Sequence, residues 1–299
     1  MYWPTWIGLA VLRTLSALPF GWQLGLGKGL GKILRLLVGS FNRVARRNLE
    51  LCLPDLTEDE RNRLAERHFE SLGIALFETG LSWWGSDERI HKISRLEGGE
   101  HLEAALAKGK GAILLSAHFT TLEIGARILA ARMPLNIMYR PTKNELLAFF
   151  LARNRGRLTK RAIRRDDVRT LVTALRGNEV VWYAPDQSYR KKGAQMVRLF
   201  GIPAATNTAT SRLAGMTGAA ILPYFVERLP GKQGYRAVIY PALEDFPSDS
   251  PVADAERFNH IIEEQVRHVP DQYLWIHRRF KGLTDDYPDY YARRAPGRA

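Results

Sequence analysis

Apolar side chains recur at helical spacing between residues 57 and 84, where Leu64, Phe69, Leu72, Leu76 and Phe77 fall on one stripe. Thr57 and Glu60 stand three apart in front of it. A hydroxyl and a carboxylate at that spacing satisfy each other's backbone N–H groups, so the pattern predicts a capped helix over 57–84. The period then changes. Short apolar runs of strand length occupy 111–117, 135–139, 179–184, 219–227 and 235–240. Between and after them lie helical stretches near 100–108 and at 120–132, 145–155, 167–176, 206–217 and 253–268. Strands alternating with helices predict an α/β fold, with a mixed, mostly parallel sheet flanked by helices. In such sheets ligands bind beyond the carboxyl ends of the strands.

The first residues follow another pattern. Up to Gly27 the only charged side chain is Arg13, and the run carries Tyr2, Trp3, Trp6, Phe20 and Trp22. Lys28, Lys32, Arg35, Arg43, Arg46 and Arg47 follow, with no acid along the chain until Glu50. An apolar, aromatic-rich stretch with a basic flank predicts a membrane anchor with the rest of the protein on the cytoplasmic side. The positive charges follow the apolar part, which does not fit a cleavable signal peptide. Arg13 and Pro19 interrupt a clean span, so a transmembrane helix and a helix lying in the interface both remain open, as does a buried helical hairpin. The division expected is 1–47 for the anchor and its flank and 48–299 for the catalytic domain.

Composition adds three constraints. At 299 residues and 45% hydrophobic, the chain is long enough for a sizeable α/β domain. The single cysteine, Cys52, excludes an intrachain disulfide and a clustered thiolate metal site, and is read as a small packed residue. The formal charge of +13 favours anionic partners without choosing among them.

The loops leaving the strands carry the candidate chemistry. The first is Ser116–Ala117–His118–Phe119–Thr120–Thr121–Leu122–Glu123, the second Tyr139–Arg140–Pro141, and the third Pro185–Asp186–Gln187 followed by Arg190, Lys191 and Lys192. With His118 in the loop and Glu123 in the first turns of a helix, the carboxylate can fix the imidazole tautomer. The other ring nitrogen then takes a proton from an alcohol. The same residues also fit a plain capping box running from Thr120 to Glu123. No H-E-x-x-H, Walker-type, G-x-G-x-x-G or G-x-S-x-G motif follows a strand, so zinc, nucleotide and serine-nucleophile chemistry have no support. No cofactor is expected, and with no placed serine or cysteine nucleophile a group would pass directly to the alcohol, without a covalent enzyme intermediate. Nothing pairs the basic residues with a stacking aromatic face, so nucleic acid is not the expected anion.

Taken together, several blocks resemble the bacterial lipid A biosynthesis acyltransferases of the lysophospholipid acyltransferase superfamily. They are SAHFTTLEIGAR at 116–127, MYRPTKN at 138–144, NRGRLTKRAI at 154–163, VVWYAPDQSY at 180–189, AATNTATSRLAGMTGAAILP at 204–223 and DQYLWIHRRFK at 271–281. The resemblance implies a glycerolipid acyltransferase-like fold on the cytoplasmic face of the inner membrane. It implies late acylation of a Kdo-bearing, phosphorylated lipid A precursor by acyl carrier protein thioester, beside anionic inner-membrane lipid. Another glycolipid or a lysophospholipid is the alternative acceptor. The family's H-x-x-x-x-D/E motif falls on His118 and Glu123. The superfamily's E-G-T-R phosphate-binding block is absent, and Asp186 and Gln187 occupy the comparable place. Arg140, Arg155, Arg157 and Arg164 become substrate-binding candidates. Arg278 and Arg279 are either a membrane-surface patch or a packed C-terminal turn.

Overall fold

A computed structural model describes residues 3–140 and 144–292; within these, the side chains of Leu147, Ala152, Arg155 and Arg157 lie outside the described set. Three helices come first: α1 (Trp3–Ser16), α2 (Phe20–Leu37) and α3 (Gly39–Cys52). The long α4 (Glu58–Trp84) and the short α5 (Asp87–Ile93) lead into β1 (Ser94–Glu97), α6 (Gly99–Leu106), β2 (Ala112–Leu115) and α7 (Leu122–Ala130). Then follow β3 (Asn136–Tyr139), α8 (Glu145–Leu158), β4 (Arg161–Arg164), α9 (Val168–Arg176) and β5 (Val180–Tyr183). A hairpin of β6 (Ala194–Leu199) and β7 (Ile202–Asn207) precedes α10 (Ala209–Thr217), β8 (Ala220–Arg228), β9 (Tyr235–Ile239) and α11 (Pro251–His268).

Among the described residues seven strands form one sheet in the order β1-β9-β8-β2-β5-β3-β4, parallel except for the antiparallel pair β8–β9. The mixed, mostly parallel α/β architecture is the one expected. All four residues of β2 and of β5 are buried, as central strands covered on both faces require. Their alternation splits the core in two. Ile113 and Leu115 face the apolar layer that contains α4 residues Leu64 and Phe69 with Phe258 and Ile262 of α11. Ala112 and Leu114 face the layer containing Ile124 and Ile128 of α7 and Leu102 of α6.

The capping box forms as the sequence requires, with Thr57 and Glu60 each bonded to the other's backbone N–H. The edge strands β1 and β4 and the β6–β7 hairpin are absent from the sequence reading. Residues 202–207 pair as a strand before α10 begins, where helix was expected from 206. Register with β6 explains this: six consecutive cross-strand pairs, from Ala194 with Asn207 to Leu199 with Ile202, override a weak local preference.

The N-terminal helices ride on α4. At Gly73 an added Cβ would lie 2.0 Å from the Gly27 carbonyl oxygen, and at Gly31 one would lie 2.1 Å from the Phe69 oxygen. Side chains are therefore excluded from this crossing, and the two backbones pack directly. The turn between α1 and α2 is tied down by Gln23, whose Nε2 donates to the Ser16 and Leu18 carbonyls, and by Arg89, which donates to the same two oxygens.

Among the described residues no helix is long and apolar enough to cross a membrane, so the spanning placement finds no support. The physical reason is plain. The 14 residues of α1 reach about 21 Å, short of a hydrocarbon core of about 30 Å. The 18 residues of α2 include Lys28, Lys32 and Arg35. The basic flank is also less bare than it reads along the chain, because α4 supplies acids in space. Lys32 pairs with Glu70, Arg35 with Glu66 and Arg46 with Glu58.

Candidate active site

The register of two neighbouring strands builds the site. β2 and β5 pair in parallel with Leu115 opposite Tyr183, an offset of 68 residues. The ladder continues past the strand end, where the Ser116 N–H donates to the Tyr183 carbonyl at 2.8 Å. Carried on by three residues, the same offset brings His118 beside Asp186. The His118 backbone N–H donates to Asp186 Oδ2 at 3.0 Å, and its Nδ1 lies 2.5 Å from Oδ1. The carboxylate that holds the imidazole is thus Asp186, not Glu123 as the sequence suggested.

Asp186 is almost wholly buried, with its side chain 3% exposed. Burial pushes its carboxyl upward, but the imidazole, both hydrogen bonds from His118 and the Arg279 guanidinium together outweigh it and hold the group below its ordinary value. An ionised Asp186 accepts only, so Nδ1 carries the proton and Nε2 is left as the basic nitrogen. Nε2 has no hydrogen-bond partner among the described residues, and the His118 side chain is 23% exposed. The pair has the geometry of a general base whose free nitrogen belongs to a partly exposed imidazole.

The loop that carries His118 is pinned from behind. Its carbonyl accepts from Leu274 N–H at 3.0 Å, and Thr120 N–H donates to the Gln272 carbonyl at 2.7 Å. Phe119 stacks edge-on against Tyr273, whose hydroxyl lies 3.4 Å from Asp186 Oδ2. Thr120 Oγ1 shares a hydrogen bond with Ser71 of α4. Ser71 in turn accepts from Arg228, which holds Glu78 through two bonds of 2.7 and 2.9 Å. This buried ion pair fastens α4 to β8 and, through Ser71, to the loop that carries His118.

Glu123 opens α7, and its Oε1 accepts from the Trp83 indole N–H at 3.1 Å. The capping-box alternative does not form either. Thr121 is the residue before the helix, and no side chain caps it. Gln187 lines the cleft with His118 and Asp186. Arg140 is exposed after β3; Arg164 is exposed at the end of edge strand β4 and pairs with Asp166 through bonds of 3.1 and 3.0 Å. Neither lines the cleft beside His118. The side chains of Arg155 and Arg157 lie outside the described residues, as does Pro141.

Residues that the sequence did not single out as site residues complete the cleft. His277 lines it, and burial pulls its imidazole down to about 4, so it is neutral near pH 7. Arg279 is buried and donates to the Ala205 carbonyl and to Thr206 Oγ1, the packed alternative for this segment. Asn48 of α3 donates to the Trp275 and His277 carbonyls at 2.6 and 2.8 Å and fixes their strand of chain. Cys52 is buried in the wall, where desolvation holds the thiol far above its usual value. It is an inert packed residue, as expected. Only the block at 271–281 hinted at His277, whereas Arg279 was named with its packed alternative. Among the described residues no group of three His, Cys, Asp or Glu side chains is placed to hold a metal ion.

Comparison with known proteins gives this geometry its setting. The family described as bacterial lipid A biosynthesis acyltransferase matches residues 1–282. The chain is 37% identical to the lipid A biosynthesis lauroyltransferase of Escherichia coli (strain K12), over 97% of this chain and 95% of that one. It is 39% identical to the palmitoleoyltransferase of the same organism, over 94% and 92%. It is 25% identical to that organism's lipid A biosynthesis myristoyltransferase, over 94% and 87%. A match of this length, spanning both the N-terminal helices and the His118 loop, means that the chain belongs to the bacterial lipid A biosynthesis acyltransferases and is an acyltransferase.

Proposed function

We propose that this enzyme transfers a fatty acyl chain from acyl carrier protein to a hydroxyl of a Kdo-bearing, phosphorylated lipid A precursor, with His118 as general base and Asp186 as the carboxylate that orients it. The observation that carries the mechanism is the 2.5 Å contact between His118 Nδ1 and the buried Asp186. The acceptor hydroxyl gives its proton to His118 Nε2 as its oxygen attacks the thioester carbonyl. The tetrahedral intermediate then collapses, the carbon–sulfur bond breaks, and the imidazolium returns the proton to the leaving thiolate. Asp186 stays ionised and stabilises the imidazolium throughout. Glu123 acts beside this pair at the start of α7, fixed by Trp83. Among the candidate arginines, Arg140 and Arg164 stand at neighbouring strand ends and are assigned to the outer part of the acceptor.

The experiment is acyl transfer by purified protein from acyl carrier protein to the lipid A precursor, with mass measurement of the product. One added acyl chain is expected, with no labelled acyl group trapped on protein when acceptor is omitted. A covalent acyl-enzyme would sink the direct mechanism, and acylation of a lysophospholipid alone would sink the acceptor assignment.

The enzyme is held at the inner membrane by residues 1–47, lying in the bilayer interface against the acyltransferase domain of 48–299. What supports this is a face of exposed apolar side chains on α1 and α2: Trp3, Ile7 and Val11, then Trp22, Leu36 and Leu37, each more than half exposed. Aromatic and aliphatic side chains on short helices with flanking cations are suited to the headgroup boundary. Because α2 packs on α4, point substitutions test this better than deletion. With Ile7→Glu, Val11→Glu, Leu36→Glu and Leu37→Glu combined, vesicle binding should fall by roughly tenfold or more at unchanged melting temperature. Unchanged binding in high salt would exclude this face as the attachment.

A further inference from the structure

A second cavity lies away from His118, between the end of α1, the α4–α5 turn and α8. Its empty space, open mouth included, is about 1610 Å³, against about 310 Å³ beside His118. Arg13, Arg89 and Arg153 line it, together with Trp6, Trp84, Phe149 and Phe150, and among the described residues no acidic side chain does. Among the described residues none of the three arginines has a carboxylate partner. Arg89 is fixed by bonds to the Ser16 and Leu18 carbonyls, which are neutral and leave its charge uncompensated. Three like charges lining one cavity repel one another, and an anion bound there would relieve the repulsion.

The rest of the lining says what kind of anion. A free inorganic ion has no use for four aromatic side chains, whereas an anion attached to acyl chains or sugar rings does. Trp6 stacks edge-on with Phe150 at 5.4 Å and is itself 54% exposed, on the same helix as Trp3, Ile7 and Val11. The mouth therefore opens beside the apolar face of α1. We propose that this groove binds a phosphate carried on a lipid, with Arg13, Arg89 and Arg153 around the phosphate and the aromatic wall against the apolar part. Guanidinium forks match phosphate oxygens better than lysine ammonium does. The groove also communicates with the catalytic loop. Trp84 packs edge-on against Trp83 at 5.6 Å, and Trp83 holds Glu123 of α7.

The lipid is either the phosphorylated acceptor or bulk phospholipid, and the first of these rests on the function proposed above. The test uses the full-length protein with Arg13→Gln and Arg153→Gln, sparing Arg89 because its bonds hold the α1–α2 turn. Arg153→Gln alone serves if the pair fails to fold, and Lys108→Gln with Lys110→Gln is the charge-matched control. One arm measures acylation of the lipid A precursor in detergent. The other measures binding to phosphatidylcholine vesicles with and without phosphatidylglycerol. If the acceptor's phosphate sits here, KM for the precursor rises roughly tenfold with kcat nearly unchanged, and the control does not move. If bulk phospholipid sits here, the precursor KM holds and the phosphatidylglycerol-dependent part of vesicle binding falls by a similar factor. Either result supports the groove; no change in both arms overturns it. Should wild-type protein acylate no phosphorylated glycolipid, the proposed function has failed, and the vesicle arm alone decides the groove.

Discussion

His118→Ala lowers kcat by roughly 10²–10⁴-fold, the usual worth of a positioned general base. The thiol of the donor is a good leaving group, but the attacking hydroxyl remains protonated near pH 7 and needs a base at the moment of attack. Nothing else in the cleft replaces it. Burial pulls the His277 imidazole down to about 4 and makes it a weak base, and Cys52 is kept protonated by desolvation. The fold should tolerate the change, because backbone bonds at His118 and Thr120 still hold the loop when the imidazole bond to Asp186 is gone. KM for both substrates therefore stays within a few-fold of wild type. A purified variant with normal melting temperature and kcat within threefold of wild type would remove His118 from the mechanism.

Asp186→Asn is expected to cost about 10⁴-fold in kcat, although it changes only one oxygen to an amide nitrogen. The argument is one of hydrogen-bond direction. The His118 backbone N–H is a fixed donor to the Oδ2 position at 3.0 Å. An asparagine must place its single carbonyl oxygen there. Its amide nitrogen then faces Nδ1, and an N–H donor there forces Nδ1 to become the acceptor. The imidazole proton moves to Nε2, and the base is lost. Proton NMR checks this independently of turnover. The downfield Nδ1–H signal of His118 should vanish in Asp186→Asn and persist in Glu123→Gln. Retention in Asp186→Asn with loss in Glu123→Gln would restore Glu123 as the orienting group. Kinetics within tenfold of wild type would make Asp186 a structural acid only.

The two predictions show why the site was half legible. The position of His118, in a loop between an apolar run and a helix, follows from local pattern, and the resemblance singled it out. Its partner does not follow. Glu123 is five residues away and sits on the next helix, so proximity in sequence favours it. Asp186 is 68 residues away and becomes the neighbour only because β2 and β5 are adjacent, parallel and in a particular register. Strand order is a property of the packed sheet, and a local pattern carries no information about it.

The same division runs through the whole molecule. The sequence by itself determined the capped helix at 57–84, the central strands and the α/β class. Hydrophobic period and capping chemistry act within a few residues, so local composition suffices to set them. It also determined that the first 47 residues present aromatic and apolar side chains with a basic flank. Tertiary structure alone decided how that segment sits. Glycines at 27, 31 and 73 let α2 lie directly on α4, where glutamates of α4 answer its cations. Packing likewise decided the edge strands and the β6–β7 hairpin, whose short segments are stabilised by partners and not by their own preference. The meeting of Arg13, Arg89 and Arg153 in the lining of one cavity is the extreme case. They come from three elements spread over 140 residues of chain, and only the folded surface makes them one charge.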